Sequence, residues 1–343
     1  MKLDEFDYDL PDELIAQFPC ERRDESRLLV VHRDSGRLEH RRFCDFPEYL
    51  RPGDAVVVND SRVIPARLFG TGPSGGRIEF LLLSCEDETR RLWNTLLKPG
   101  RRVRTGMSVS FGQDGEAVVE EKLADRTWRV RFAARMDFDV FLHRNGHAPL
   151  PPYIKRKVGG GISAADLERY QTVYARVPGS VAAPTAGLHF TSSVLEAIRR
   201  RKIPIATVTL HVGYGTFRPI EAETVEDHEM DEERIEIGAE AARTINAAAR
   251  VVAVGTTSTR TIESAATEDG RVSAGASRTR LYLYPGCSFR RVGALLTNFH
   301  LPRSSLFLLV CAFAGRERMM EAYGEAIRQR YRFFSYGDCM LIL

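Results

Sequence analysis

The feature that most limits how this chain can fold is a change of sequence pattern between residues 63 and 150. Apolar and polar residues alternate there in short runs with the period of a β-strand. Turn-forming sequences such as Lys98-Pro99-Gly100 and Asp114-Gly115 separate the runs. The runs predicted as strands are 77–83, 92–97, 108–111, 117–122 and 127–132. Many short strands joined by tight turns are typical of a small antiparallel β-barrel, which the sequence predicts for this segment.

On both sides of this segment, predicted strands alternate with predicted helices. The run 55–59 is apolar, which indicates a strand that is buried on both faces. The other predicted strands are 27–31, 205–212, 251–254, 279–284 and 293–298, and the predicted helices are 192–202, 239–249, 304–314 and 317–330. We therefore predict an α/β main domain with a mixed sheet, formed by residues 1–62 and 151–343, and an inserted antiparallel β-barrel domain at 63–150.

Charge and cysteine content restrict the partners and the compartment. The 343 residues carry a formal net charge of +3, which leaves room for a local basic surface without indicating a nucleic-acid partner by itself. The six cysteines have neither a disulfide framework nor the spacing of a zinc site, so we expect a reducing cytoplasm. The acidic N-terminal segment is unlike a signal peptide, and the most apolar stretch, 306–314, is too short to span a membrane. Because no heptad pattern occurs, we expect a monomer.

The segment 174–191 is unlike either a helix or a strand. Its prolines, glycines and other small residues allow the backbone to bend closely around a ligand, with Arg176 and His189 as the reactive groups. A loop of this length without its own secondary structure is usually functional. The alternative is a surface connection.

His211 lies where another predicted strand runs into a glycine-rich turn, in the sequence TLHVGYGTF at 209–217. The turn residues with open backbone N–H groups are Gly213, Gly215 and Thr216. Turns at strand ends in α/β sheets commonly bind ligands, and an imidazole that titrates near neutral pH can act as a general base. A lone histidine on a strand can equally be a hydrogen-bonded packing residue.

Two further predicted strands are also followed by polar groups. The hydroxyl-rich turn after 251–254 consists of Gly255, Thr256 and Thr257. It precedes a helix that carries Arg260, and the N-terminus of such a helix favours a carboxylate or phosphate, although Ser and Thr also serve as plain helix caps. The segment 297–302 contains Asn298, an aromatic ring and His300, which could contact a ligand or belong to the core.

Short basic clusters could follow the phosphates of a nucleic acid, although each could also be an ordinary solvated surface. The residues concerned are Arg22, Arg23, Lys155, Arg156 and Lys157, together with 199–202. The acidic stretch 227–233 surrounds His228 without the spacing of an HExxH or EF-hand motif. The sequence therefore predicts no metal site.

Taken together, these segments resemble the S-adenosylmethionine:tRNA ribosyltransferase-isomerase family of queuosine biosynthesis. The resemblance extends over essentially the whole chain. The segments that carry it are 8–11, 15–17, 26–30, 59–67 (NDSRVIPAR), 174–191, 209–217, 255–260, 297–302 and 331–338 (YRFFSYGD). The sequence departs from the family pattern at Ser61, where threonine is frequent, and at Asp231, where a second histidine is usual.

The resemblance implies an enzyme that moves the ribosyl part of S-adenosylmethionine onto 7-aminomethyl-7-deazaguanine at the wobble position of tRNA. The products are epoxyqueuosine, adenine and methionine. The positive sulfur of S-adenosylmethionine supplies the activation, so no metal or redox cofactor is required. S-adenosylmethionine itself is a co-substrate. The partners are then tRNA, through its anticodon arm, and S-adenosylmethionine, with no membrane.

Within this resemblance we expect His211 or His189 to act as the base, and His300 or Asp338 to carry a second proton. Arg260 and the turn at 255–257 would hold the methionine carboxylate. Asp60 and Arg62 are expected at the substrate interface.

Two other functions are compatible with parts of the sequence. An RNA methyltransferase would use the same co-substrate, but the glycine run 159–161 follows a basic segment instead of opening a Rossmann unit after a strand. A non-catalytic RNA-binding protein would explain the barrel and the basic clusters, but not the histidines at several strand ends.

Overall fold

A computed structural model describes residues 1–124, 127–156, 164–213 and 220–343. The strands are β1 (Arg27–Val31), β2 (Leu38–Arg42), β3 (Asp54–Asn59), β4 (Ser61–Val63), β5 (Arg67–Thr71), β6 (Arg77–Cys85), β7 (Leu92–Lys98), β8 (Ser108–Ser110), β9 (Gly115–Lys122), β10 (Trp128–Ala134), β11 (Gly146–His147), β12 (Val177–Ser180), β13 (Ile205–Leu210), β14 (Glu233–Ile237), β15 (Arg250–Val254), β16 (Gly275–Thr279), β17 (Val292–Asn298) and β18 (Cys339–Ile342). The helices are α1 (Phe138–Asn145), α2 (Ala164–Arg169), α3 (Ser192–Arg200), α4 (Ala239–Ala247), α5 (Gly255–Ala265), α6 (Ser305–Ala314) and α7 (Arg316–Arg328).

The larger sheet is mixed and has the strand order β16-β14-β13-β3-β15-β17-β18-β1-β2. Strands β13, β3, β15 and β17 are parallel neighbours, and β18 runs antiparallel to β17 but parallel to β1. In β3, Val57 packs into the core on one face of the sheet, whereas Val56 and Val58 pack on the other. This burial on both faces confirms the prediction for 55–59 and explains why the strand has no polar alternation.

The smaller sheet is antiparallel, in the order β11-β5-β6-β7-β10-β9-β8, and it closes into a barrel where Thr71 of β5 pairs with Ser110 of β8. Helix α1 packs on the barrel through Phe138 and Phe141, which join the same core as Phe132. The fold is therefore an α/β domain with a mixed sheet and an inserted small antiparallel β-barrel, as predicted. The barrel strands lie within 63–150, and the domain boundaries themselves stay a prediction.

Two predicted elements differ from the structure. Strand β16 covers Gly275–Thr279, so the strand predicted at 279–284 is wrong. The apolar residues that suggested it are used in irregular packing: Leu283 is buried in the core, and the carbonyl of Leu281 accepts a hydrogen bond from Arg260. The predicted turn at 255–257 is instead the first turn of α5, which begins at Gly255 directly after β15.

Glu263 anchors α5 to the start of β17. Its buried carboxylate accepts hydrogen bonds from the backbone N–H groups of Arg290, Arg291 and Val292 at 2.7, 3.0 and 2.8 Å. Since Glu263→Ala leaves these donors without an acceptor, we expect the free energy of unfolding to fall by about 3 kcal/mol. Urea denaturation checks this against Glu268→Ala, an exposed position five residues along the chain, beyond the end of α5. Equal midpoints for the two variants would contradict the anchoring role.

Candidate active site

The carboxyl ends of β3 and β13 meet because these strands are parallel neighbours in the sheet. Asn59, which is completely buried, fastens the two ends together. Its Oδ1 accepts hydrogen bonds from the N–H groups of Ser61 and Leu210, both at 3.1 Å, and its Nδ2 donates to the Leu210 carbonyl at 3.0 Å and to Thr257 Oγ1 at 3.3 Å. One amide group therefore fixes β3, β13 and the first turn of α5. We did not predict Asn59 as a site residue.

His211 follows β13 at this edge of the sheet. Its Nδ1 is 3.0 Å from Ser61 Oγ. Within the described residues, no other hydrogen bond to the ring nitrogens of His211 is found. Burial, followed by the nearby Arg234 guanidinium, lowers the pKa of His211 below its ordinary value. The imidazole is therefore neutral at neutral pH and has a nitrogen available to accept a proton.

Gly179 in β12 forms the surface on which the His211 ring rests. A Cβ at this position would lie 2.9 Å from His211 Cε1, and the φ of Gly179 is +143°, in a region that side chains rarely adopt. Glycine is thus required here both by the backbone conformation and by the close approach of the ring.

We expect Gly179→Ala to lower kcat/KM by about 10²-fold, because it displaces the imidazole from its position against Ser61. Steady-state kinetics of adenine release measures this. Gly238→Ala is the matched control, since a Cβ at Gly238 meets nothing within 4 Å and its φ is −68°. If both variants keep parental kcat/KM, the placement of His211 is not important for turnover.

Asp60 and Arg176 form an ion pair beside Ser61. Asp60 Oδ2 accepts hydrogen bonds from Arg176 Nε and Nη2 at 3.1 and 2.9 Å, and Oδ1 accepts one from Thr209 Oγ1 at 2.7 Å. The carboxylate is buried, whereas 73% of the Arg176 side chain is exposed. Asp60 therefore positions a guanidinium at the surface. Arg62, on β4, is also exposed.

The N-terminus of α5 lies next to this cluster through the Asn59–Thr257 contact. No side chain of the described residues caps the helix, and Thr256 and Thr257 are buried. Its N–H groups and partial positive charge suit a carboxylate. The segment 185–189 also approaches this end of the helix, since a Cβ on Gly255 would lie 3.5 Å from Ala186 Cβ.

Arg260, on the same helix, forms a buried ion pair with Glu233. Its Nε donates to the Leu281 carbonyl at 2.9 Å, and within the described part of the chain its Nη2 has no hydrogen-bond partner. Glu233 Oε1 in turn accepts a hydrogen bond from the N–H of Gly213 at 3.1 Å. Arg260 is thus connected through Glu233 to the turn that follows His211.

His189 belongs to a second cluster, at the end of β17. Its Nε2 accepts a hydrogen bond from Asn298 Nδ2 at 3.2 Å, which places the ring proton on Nδ1, 2.7 Å from Ser26 Oγ. Burial lowers the pKa of His189 to about 3. Asp338 is held nearby: its carboxylate accepts hydrogen bonds from the N–H groups of Arg27 and Arg332, and burial raises its pKa. Both ring nitrogens of His189 are therefore engaged, which argues against a role as base.

His300 lies apart from both clusters. Its Nε2 is 2.7 Å from Thr297 Oγ1, its backbone N–H donates to the Tyr323 hydroxyl at 3.1 Å, and its carbonyl accepts from Tyr8. Burial lowers its pKa to about 3. This surrounding of aromatic core residues argues against the expected role as a proton carrier.

The predicted nucleic-acid contacts have different environments. Arg23 donates to the carbonyls of Gln171 and Leu188 at 2.7 and 3.1 Å, and Arg156 pairs with Asp166 at 2.6 Å, so both guanidinium groups contact protein. Arg22 and Lys155 are exposed. The predictions for Lys157, Gly215 and Thr216, and for the glycine run 159–161, lie outside the described residues.

The described residues contain neither a cluster of metal-binding side chains nor a membrane-spanning helix. No group of three or more His, Cys, Asp or Glu side chains there could hold a metal ion. No helix in these ranges is long and apolar enough to cross a membrane.

Known proteins resemble this chain along its whole length. A family model described as queuosine biosynthesis protein matches residues 3–342. The S-adenosylmethionine:tRNA ribosyltransferase-isomerases of Syntrophus aciditrophicus and Solibacter usitatus are each 52% identical, with 100% of both chains covered. A crystal structure of S-adenosylmethionine tRNA ribosyltransferase from Thermotoga maritima has a TM-score of 0.55 and 37% identity, and the match covers 99% of this chain and 100% of that one.

Proposed function

The chain belongs to the queuosine biosynthesis protein family, and we propose that it carries out its reaction at the edge of the sheet where His211, Ser61 and the N-terminus of α5 meet. The reaction transfers and isomerises the ribosyl group of S-adenosylmethionine onto 7-aminomethyl-7-deazaguanine in tRNA. Epoxyqueuosine-tRNA, adenine and methionine are the products. The chain is thus a transferase that acts on tRNA and S-adenosylmethionine, and the methyltransferase and RNA-binding alternatives are not favoured.

The proposal rests on one observation: Asn59 joins the end of β13, which His211 follows, to the first turn of α5, whose N-terminus no side chain of the described residues caps. In the proposed first step, His211 Nε2 removes a C5′ proton, which the neighbouring sulfonium has acidified. This requires that Nδ1 carries a proton and donates it to Ser61 Oγ. A hydroxyl oxygen can accept that hydrogen bond, so the contact with Ser61 is compatible with Nε2 as the proton acceptor.

Loss of adenine then follows as the ribose opens. The purine must receive a proton as the bond to C1′ breaks, and the aminomethyl group of the tRNA base must lose one as its nitrogen attacks. Closure of the epoxide finally expels methionine, whose sulfur leaves with the electron pair of the C5′–S bond. Of the two expected second proton carriers we keep Asp338, whose pKa is raised by burial, because His300 is hydrogen-bonded within the core.

The methionine carboxylate is assigned to the first turn of α5. The N–H groups of 255–257 offer partial positive charge, and the unpartnered Nη2 of Arg260 lies on the same helix. Arg176 and Arg62, both exposed beside Ser61, are assigned to the tRNA side of the site. We further propose that the reaction needs no metal or redox cofactor, and that the enzyme works in the cytoplasm as a monomer.

Product analysis tests the function. The full chain is incubated with S-adenosylmethionine labelled in both the methyl and adenine groups, together with tRNA that carries the 7-aminomethyl-7-deazaguanine precursor. Free adenine and methionine in equal amounts, with a mass increase on the tRNA, are expected. S-adenosylhomocysteine would instead indicate a methyltransferase, and an absence of products with bound tRNA would indicate an RNA-binding protein.

A further inference from the structure

A groove at the junction between the barrel and the α/β domain adjoins the His211 site. Its volume is about 690 Å³, which lies within the range of small-molecule sites. Strand β4 and the chain after it form one wall, α1 forms the second, and the segment after α2 forms the third. We call this feature the junction groove.

One two-stranded ribbon separates the junction groove from the His211 site. Strands β4 and β12 pair in parallel, with Arg62 opposite Pro178, and both of these residues line the groove. The residues next to them face the histidine: Ser61 Oγ is 3.0 Å from His211 Nδ1, and Gly179 packs against the ring. A polymer with one unit at His211 can therefore place the adjacent unit in the groove.

The walls of the groove are held in place by side-chain hydrogen bonds. Gln171 binds both backbone groups of Val63: its Oε1 accepts from the N–H at 3.0 Å, and its Nε2 donates to the carbonyl at 2.8 Å. Arg23 donates to the carbonyls of Gln171 and Glu168 at 2.7 and 3.2 Å. These hydrogen bonds within the protein fix the walls of the groove, which reduces the ordering cost of binding a ligand.

The lining suits a nucleotide better than a purely apolar ligand. Ile64, Pro65 and Val173 line the groove with apolar side chains, and Val173, which is 46% exposed, offers its apolar surface to a base. Arg62 is exposed and makes no ion pair within the described residues, so its charge is available to a phosphate. The buried hydroxyl of Thr172 has no hydrogen-bond partner there and could bind the edge of a base.

We propose that the junction groove binds one of the two nucleotides that flank the modified guanine in the anticodon loop, with its base against Val173 and its phosphate at Arg62. This proposal rests on the proposed function, since it assumes that the modified base reaches His211. Bases of single-stranded RNA are typically recognised in this manner, unstacked and packed against protein side chains.

The test uses Val173→Glu in the full chain and a matched control, Val140→Glu. Both valines are exposed, at 46% and 54%, but Val140 does not line the groove. Affinity for an anticodon stem-loop RNA is measured by fluorescence anisotropy at one fixed salt concentration, and binding of labelled S-adenosylmethionine is measured by equilibrium dialysis. We expect Val173→Glu to weaken RNA binding by about tenfold, with the affinity for S-adenosylmethionine unchanged. Val140→Glu is expected to bind both like the parental protein.

Abasic RNAs then identify the bound nucleotide. Two stem-loops lack the base on the 5′ or the 3′ side of the modified guanine. One of them is expected to bind the parental protein about tenfold more weakly, yet to bind Val173→Glu almost as well as the intact RNA does, because the same contact is already lost. If the melting temperature shows that Val173→Glu is unfolded, the same cycle is carried out with Val173→Ala.

Three results would overturn the proposal: equal RNA affinity of the two glutamate variants, additive losses for both abasic RNAs, or weakened binding of S-adenosylmethionine with RNA affinity intact. The last result would assign the groove to the nucleoside donor. A failure of the proposed function gives a different result, since the parental protein would then release no adenine whatever the RNA affinities are.

Discussion

Adenine release by the His211→Ala variant is expected to be about 10²- to 10⁴-fold slower than that of the parental protein at saturating tRNA. The variant lacks the group that we assign to removal of the C5′ proton, but it keeps the pairing of β3 and β13 through Asn59. Affinity for S-adenosylmethionine should therefore change little. Single-turnover measurement of free adenine separates the chemical step from binding and product release.

Two other variants make this result specific. His40→Ala removes a histidine from β2, where its ring contacts Tyr331 and Glu325, and should leave the rate unchanged. Ser61→Ala removes the hydroxyl at His211 Nδ1 and should slow adenine release about tenfold, because the imidazole remains but loses the hydrogen bond that positions it. If His211→Ala and His40→Ala release adenine equally fast, His211 is not the base.

The pH dependence of kcat/KM follows from the same assignment. A base must be unprotonated to act, and burial lowers the pKa of His211 below its usual value near 6.5. The acidic limb that comes from this histidine should therefore lie below the pH of about 6.5 at which an ordinary histidine titrates. The residual activity of His211→Ala should lack this acidic limb.

Arg260→Met is expected to lower the free energy of unfolding by about 3–5 kcal/mol, because the buried carboxylate of Glu233 loses its ion pair with Arg260. It should also raise the KM for S-adenosylmethionine, since we assign Arg260 to the methionine carboxylate. Urea denaturation and steady-state kinetics measure the two effects. With the single variant alone, they cannot be separated.

The double variant Arg260→Met/Glu233→Gln separates them. Glutamine removes the charge that Arg260 balanced and keeps an oxygen that can accept the hydrogen bond from Gly213, so stability should largely recover. The KM for S-adenosylmethionine should stay high. If the KM recovers together with the stability, Arg260 supports the turn after His211 and does not contact the co-substrate.

Much of the fold could be predicted because hydrophobic periodicity records burial. Strand β1 was predicted with its observed bounds, and five of the seven barrel strands, β6 to β10, were recognised from their alternation. The strands that were not predicted include β2, whose sequence LEHRR is largely polar because it is an edge strand, and β18, which has only four residues. Such strands are stabilised by pairing with neighbours from distant parts of the chain, and their own sequence contains little evidence of it.

The site was partly predictable for a different reason. Strand ends followed by glycine and a polar residue indicated His211 and the α5 N-terminus, because parallel strands bring such ends to one edge. The same reasoning does not distinguish His300, which follows β17 but turns into the core. Asn59 and Glu233 were not predicted as site residues. Asn59 matters because it binds backbone groups more than 100 residues away, and Glu233 because it pairs with Arg260, 27 residues along the chain.

The position of β18 between β17 and β1 has a consequence for biosynthesis. About 300 residues separate β1 from the strand that pairs with it on this side. Because the ribosome synthesises about 5–20 residues per second, one hydrogen-bonding edge of β1 stays unpaired for roughly 15–60 s. Four apolar residues, Leu28 to Val31, form most of this strand. An apolar strand with an unpaired edge tends to associate with other nascent chains. We therefore expect co-translational chaperone binding to protect the β1 segment until Cys339–Ile342 has left the ribosome.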